Sequence, residues 1–357
     1  MKVPFGTSSV LNGTFMTRPA AHRRAAADKR LASPGKCGKL VFLPYPGPQA
    51  PDLPAAVPES NGALERRTRL RHRVPATRSR VHISYGDMKK GKAMTSKQSA
   101  WTGMLSVEDT ALYVSDTGGP GRPVVYLNGA YADQSHWKRV IADLGSGYRH
   151  ITYDQRARGK SKRSADYSFE ACIRDLDAVL TARGVDRPLL VGWSYGGILG
   201  WHWADRNPDR VLGVVTVDAF PVGLTGEAGR ERIRKLFRRM RWLFPIASRL
   251  GLAARMTADQ HAEVNIECNE IAAASVPVLD RLTCPVRFVL ATGDSLGSKD
   301  GEMEQGRTVL DPLLASNPNL KVSAKVASNH SKILRNDSPA VADAVREFAV
   351  TRGPAVG

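Results

Sequence analysis

Residues 189–201 read Leu-Leu-Val-Gly-Trp-Ser-Tyr-Gly-Gly-Ile-Leu-Gly-Trp. An apolar run, Leu189–Val191, meets the turn Gly192–Gly197, and a second apolar stretch begins at Ile198. The expected order is strand, tight turn, helix. The turn has the form Gly-x-Ser-x-Gly, in which a nucleophilic serine is held on a strained elbow between strand and helix. Ser194 Oγ then projects clear of the backbone. The first N–H groups of the new helix point at any oxyanion that forms beside it. Gly192 and Gly196 lack Cβ atoms, which lets strand and helix close tightly around the turn.

The flanking sequence continues the same texture. Leu112–Val114, Pro123–Leu127, His150–Tyr153, Pro188–Val191 and Val211–Val217 read as strands. Helical spacing separates them: Trp137, Val140, Ile141 and Leu144 share one face, as do Cys172, Leu176, Val179 and Leu180 behind the cap residue Ser168. Between about Val222 and Thr283 only helical patterns occur. One of these buries Ile233, Leu236, Phe237 and Met240, and its other face carries Arg234, Lys235, Arg238, Arg239 and Arg241. That basic face is expected to be solvated, with a membrane or acidic-substrate contact as the alternative. Strands resume at Val286–Leu290 and Lys321–Val326, and a closing helix follows Ser338 and Pro339. The alternation predicts an α/β fold, a doubly wound, mostly parallel sheet with a small helical cap.

Net charge is +18, but residues 1–100 hold 19 Lys/Arg against 5 Asp/Glu. The basicity therefore belongs to that segment and does not argue for a specific nucleic-acid partner of the folded part. Prolines 44–58 and arginines 66–80 break every period there, so residues 1–100 are expected to be a disordered basic extension. A basic tail, an organelle-targeting extension, or translation starting at Met88 or Met94 all fit; the abrupt onset of order favours the last. The expected divisions are this extension, a first core part over 101–221, a cap over 222–283 and a second core part over 284–357. No 18-residue apolar run predicts a transmembrane segment. Cys37, Cys172, Cys268 and Cys284 are scattered, which argues against a zinc site or disulfide framework and for a reducing, cytoplasmic setting.

Open α/β sheets place their sites at the carboxyl ends of strands. Asn128-Gly129, Asp154, Ser194, Asp218, Asp294 and His330 all fall there. Ser194, Asp294 and His330 keep the chain order Ser…Asp…His.

Over residues from about 105 to 350 the chain resembles the α/β-hydrolase family with a helical cap. Besides the elbow, Asp154–Ser161 resembles the family's Asp-x-Arg-Gly-x-Gly-x-Ser loop, with Ala157 in place of the first glycine. Asn207–Val211 is similar to the family's exit from the helix after the elbow. Thr292-Gly293-Asp294 and Asn329-His330-Ser331 are similar to its acid and histidine motifs. The resemblance implies Ser194 as nucleophile, His330 as general base and Asp294 as the acid that orients it, with Asp218 the alternative acid. It implies backbone N–H donors from Ala130 and Tyr195 as the oxyanion hole. Asn128 stands where the family most often has histidine, so Asn128, Gly129 and Trp193 are expected to shape the substrate pocket. Asp154 and Arg156 are expected to hold their loop together, and His136, His202 and His261 to be structural or exposed. Trp137, Trp193 and Trp242 fit either a pocket or the core.

The implied activity is hydrolysis of a small carboxylic ester through an acyl-enzyme, with no cofactor and no metal. The same triad also serves C–C, lactone, thioester or amide cleavage and cofactor-free peroxidation. The serine disfavours the epoxide- and haloalkane-cleaving branches, which use aspartate as nucleophile. The alternative of a different class is a hydrolase-fold small-molecule binding protein with little turnover.

Overall fold

The computed structural model describes residues 99–249, 253–293 and 308–350. The expected extension over 1–100 lies almost wholly outside them. Strands β3 (Arg122–Leu127), β5 (Leu189–Trp193) and β6 (Gly213–Val217) form the middle of an eight-stranded sheet of order β1-β2-β4-β3-β5-β6-β7-β8. The others are β1 (Trp101–Val107), β2 (Thr110–Asp116), β4 (Tyr148–Tyr153), β7 (Val286–Gly293) and β8 (Leu320–Asn329). From β4 to β8 all pairings are parallel; β1 and β2 run antiparallel at one side.

Central strands are apolar on both faces because helices cover both. In β3, Val124 and Tyr126 pack in one core with Trp137, with Val140 of α1 (Lys138–Leu144), and with Val341 and Val345 of α9 (Ser338–Val350). Val125 and Leu127 point to the other face. That face of the sheet is covered by α2 (Phe169–Ala182), α3 (Tyr195–Arg206), α7 (Val276–Arg281) and α8 (Leu310–Ser316). The period of two sorts each strand between two cores.

The chain leaves β3 toward β4 on one side, then returns across it to β5 on the other. This reversal puts a crevice beyond the ends of β3 and β5. Between β6 and β7 the chain inserts α4 (Gly226–Met240), α5 (Phe244–Arg249), α6 (Ala258–Ala273) and then α7. Helix α6 begins with a reciprocal cap, Thr257 Oγ1 accepting from Gln260 N–H and Gln260 Oε1 from Thr257 N–H. Helix α7 joins the core layer beside α3 through Val278 and Leu279.

Strand β1 was not expected. It is an edge strand whose residues alternate only between half-buried and exposed until Val107. Thr102, Gly103 and Ser106 leave it without the apolar period that marks interior strands.

Candidate active site

Ser194 sits between β5 and α3 with φ 55° and ψ −119°. A non-glycine residue there carries strain of about 1–3 kcal/mol, which the surroundings must hold. They do so closely. Ser194 N–H donates to the Val217 carbonyl at 2.9 Å, tying the elbow to β6. A methyl on Gly192 would lie 2.2 Å from the Gly196 carbonyl oxygen, and one on Gly196 would lie 2.0 Å from that of Leu127. Both glycines are therefore required by close approach, and the elbow lies directly against the end of β3. Tyr195 opens α3, where first-turn N–H groups lack intrahelical partners. Its buried phenol is pushed well up in pKa by desolvation, so its side chain is no acid or base near neutrality.

At the end of β3, Ala132 N–H donates to the Gly129 carbonyl at 3.0 Å. That carbonyl shares a peptide plane with the Ala130 N–H, which is thereby turned the opposite way. The Arg158 guanidinium braces the same loop, Nε donating to the Ala130 carbonyl at 2.7 Å and Nη1 to the Arg156 carbonyl at 2.9 Å. Arg158 is buried and no salt bridge to a carboxylate holds it among the described residues.

The histidine and its acid come from strands further along. His330 follows β8, and its Nδ1 lies 2.7 Å from Asp218 Oδ2. Asp218 follows β6 with φ 46°, and is buried. Its N–H donates to the Val289 carbonyl at 2.8 Å, and its Oδ1 accepts from Ala291 N–H at 3.0 Å. The carboxylate is thus fixed by β7 on one oxygen and faces the imidazole with the other. With Nδ1–H given to Asp218, the tautomer assigned from this bond leaves Nε2 as an acceptor. Asp294 lies outside the described residues; the carboxylate that meets His330 is that of the alternative acid.

Trp193 is a brace that the sequence did not single out as one. Its Nε1–H donates to the His330 carbonyl at 3.2 Å, and its ring lies 5.5 Å from the imidazole. On another side it stacks with His136 at 5.7 Å, and a methyl on Gly129 would meet it at 3.0 Å. The available signal was an indole placed directly before Ser194 at the end of an apolar run. Asn128, expected to shape the pocket, has its side-chain amide engaged within the fold. It is buried, its Nδ2 donates to the Tyr153 carbonyl at 2.8 Å, and its Oδ1 accepts from Trp137 Nε1–H at 2.8 Å. Its amide is spent joining β3, β4 and the residue before α1. Trp137 packs in the core, and Trp242 does neither of the things expected of it, being exposed.

The loop 154–161 is held as its residues suggest. Asp154 accepts from Gln134 N–H and Lys160 N–H, and Arg156, fully buried, grips Asp175 through Nε and Nη2. Ala157, where the family has glycine, keeps a left-handed φ of 62°. Its methyl is buried with Tyr167, Ala254, Met256 and Val264, so cap packing offsets the strain. The other histidines hold structural posts. His136 is half-exposed and raised in pKa by its Asp133 partner. His202 meets Ser275 Oγ and is held down at about 4 by burial. His261 is likewise held down at about 4 by burial among Tyr131, Phe237 and Phe244. Cys172, Cys268 and Cys284 are buried, and desolvation raises all three thiols, the last two to about 12 and about 11. Among the described residues no cluster of three His, Cys, Asp or Glu side chains could hold a metal ion.

The chain is similar to known proteins in sequence and in fold. Residues 122–265 match the family model described as alpha/beta hydrolase fold. Epoxide hydrolase 3 of Xenopus tropicalis is 28% identical over 132 residues, 35% of this chain and 36% of that protein. The sn-1-specific diacylglycerol lipase ABHD11 of Mus musculus is 35% identical over 104 residues, 29% of this chain and 34% of that protein. The match thus spans about a third of the length of these curated relatives. Among solved structures, an esterase of Thermogutta terrifontis superposes with a TM-score of 0.55 at 20% identity, covering 70% of this chain and 98% of its own. That likeness is one of fold. With residues 122–265 matching that family model and the mostly parallel sheet superposing on structures of the same architecture, the chain has the α/β-hydrolase fold.

Proposed function

We propose that the protein is a serine hydrolase that cleaves a small carboxylic ester by acyl transfer. The observation that carries this reading is the 2.7 Å bond from His330 Nδ1 to buried Asp218, in a fold that brings the strained Ser194 to a neighbouring strand end. Ser194 Oγ attacks the ester carbonyl while His330 Nε2 takes its proton. Asp218 keeps the ring in that tautomer and stabilises it once charged. The tetrahedral oxyanion is met by the N–H groups of Ala130 and Tyr195, each worth about 3 kcal/mol in the transition state. The buried cation of Arg158 behind Ala130 favours negative charge at the same place. His330 then returns the proton to the leaving alcohol, and water activated by the same nitrogen frees the acid.

Trp193 lies beside the histidine and Gly129 beside Trp193, and both border the substrate pocket in this reading. A serine at the elbow supports the acyl-transfer branch, in line with the names of the lipase and esterase relatives, over the epoxide-opening branch. The buried, unpaired thiols support a reducing, cytoplasmic setting. A fluorophosphonate probe and a short p-nitrophenyl ester test the proposal. The wild type should label and turn over, and Ser194→Ala should do neither. A wild-type protein that neither labels nor hydrolyses any short ester would leave the binding-protein reading standing instead.

A further inference from the structure

The cap carries a surface that the candidate active site does not use. Helix α4 turns Ile233 and Phe237 inward. Three of its outer cations are held by carboxylates: Arg230 by Glu270 at 2.6 Å, Arg234 by Glu263 at 3.0 Å and Arg238 by Glu231 at 2.5 Å. Arg232, Lys235 and Arg239 are exposed and stand at i, i+3 and i+7, one row along the helix. No ion pair involves them among the described residues. At the end of this row the chain turns and presents Trp242 and Ile246, 66% and 57% exposed. Those are the two most exposed large hydrophobic side chains among the described residues, and they stand four positions apart in the chain. Beside them runs a groove whose wall includes Arg163, Arg241, Arg255, Phe244 and Met256 and contains no carboxylate.

A solvated helix face accounts for the cations but leaves the bare indole and the bare isoleucine unexplained. A polyanion such as nucleic acid would use the cations and could stack on the indole, but gains little from Ile246. A bilayer of anionic phospholipid uses every part. Cations meet the headgroup phosphates, an indole favours the interfacial zone, and an aliphatic side chain favours the acyl boundary. We propose that the cap end formed by Arg232, Lys235, Arg239, Trp242 and Ile246 docks on an anionic phospholipid surface. The sequence alone had suggested a solvated face here, because it could not show which arginines are neutralised by α6 or that Trp242 is left outside.

The full chain is sedimented with vesicles of phosphatidylcholine and with vesicles of equal parts phosphatidylcholine and phosphatidylglycerol. Wild type should partition onto the second and not the first. The triple variant Arg232→Gln, Lys235→Gln, Arg239→Gln should lose about 100-fold in partitioning, since each surface cation contributes about a factor of five. Trp242→Ser with Ile246→Ser should lose about tenfold or more. Phosphatidylglycerol brominated along its chains should quench tryptophan fluorescence in wild type, and much less in Trp242→Phe, whose fold a far-UV spectrum checks. Residues 1–100 are basic as well, so binding that is unchanged in both cap variants would assign it to that segment and overturn the proposal. Binding that falls in the glutamine variant alone, together with an equal fall on a DNA duplex, would make the row a polyanion site and also overturn it.

Discussion

The decisive contact at the scale of single residues is between Asp218 and His330. Both candidate acids stand at strand ends, Asp218 after β6 and Asp294 after β7, and both satisfy the order Ser…Asp…His. Adjacent parallel strands are about 5 Å apart. Chain order therefore cannot tell which carboxylate meets a histidine arriving from β8. Among the described residues it is Asp218 that meets the ring, its left-handed φ of 46° and its bond from Ala291 N–H aiming the second oxygen at the imidazole. Asp218→Asn would keep the shape and favour the wrong tautomer, so kcat for a p-nitrophenyl ester should fall by about 10⁴. Asp294→Asn, measured beside it, should have a much smaller effect. A larger loss at Asp294 would return the role to that residue.

Between elements, the elbow depends on how closely α3 and β5 approach β3. Gly196→Ala would place a methyl 2.0 Å from a main-chain oxygen that cannot yield without moving the sheet. Such overpacking should destabilise the protein by about 3 kcal/mol or more, read from urea unfolding. Gly147→Ala, where an added methyl meets nothing within 4 Å, should change stability by no more than about 0.5 kcal/mol. This contrast was partly legible in sequence, because Gly-x-Ser-x-Gly names the glycines that matter. Interior strands and their helices were legible for a related reason, since continuous burial or a clean 3.6 period leaves one reading. Strand β1 was not, because an edge strand needs pairing with β2 rather than burial of its own side chains. The two bonds of Asn128 were not legible either, because a polar side chain at a strand end does not name its partners on β4 and before α1.

At the scale of the molecule, the cap sits on the core through aromatic packing. His261 of α6 stacks with Phe244 at 4.4 Å and lies 5.5 Å from Tyr131, next to Ala130. Its ring nitrogens are buried and make no hydrogen bond of normal geometry, the Ala254 carbonyl being only a weak partner. Burial, reinforced by Arg158, therefore holds its pKa at about 4, below the ordinary 6.5. A depressed histidine pKa means that the unfolded chain binds the proton more readily. Stability is therefore full above about pH 6.5 and is lost as pH falls toward 4, by up to about 3 kcal/mol. His202 adds to the same window. In His261→Phe the slope of unfolding free energy between about pH 6.5 and pH 4 should fall by roughly half, as measured by urea titrations. An unchanged slope would show that His261 does not stay neutral in the fold.

Local rules carried much of this protein. Alternation of apolar strands and helices determined the sheet, and a glycine-flanked serine determined its elbow, because backbone geometry and burial act over neighbouring residues. Tertiary structure decided the pairings that span the chain: Asp218 with His330, Trp193 with the His330 carbonyl, and the glutamates that neutralise some cap arginines and leave others bare. Such choices depend on distances of a few ångströms between residues up to 137 positions apart. A spacing along the chain holds no record of them; the packing of one element on another does.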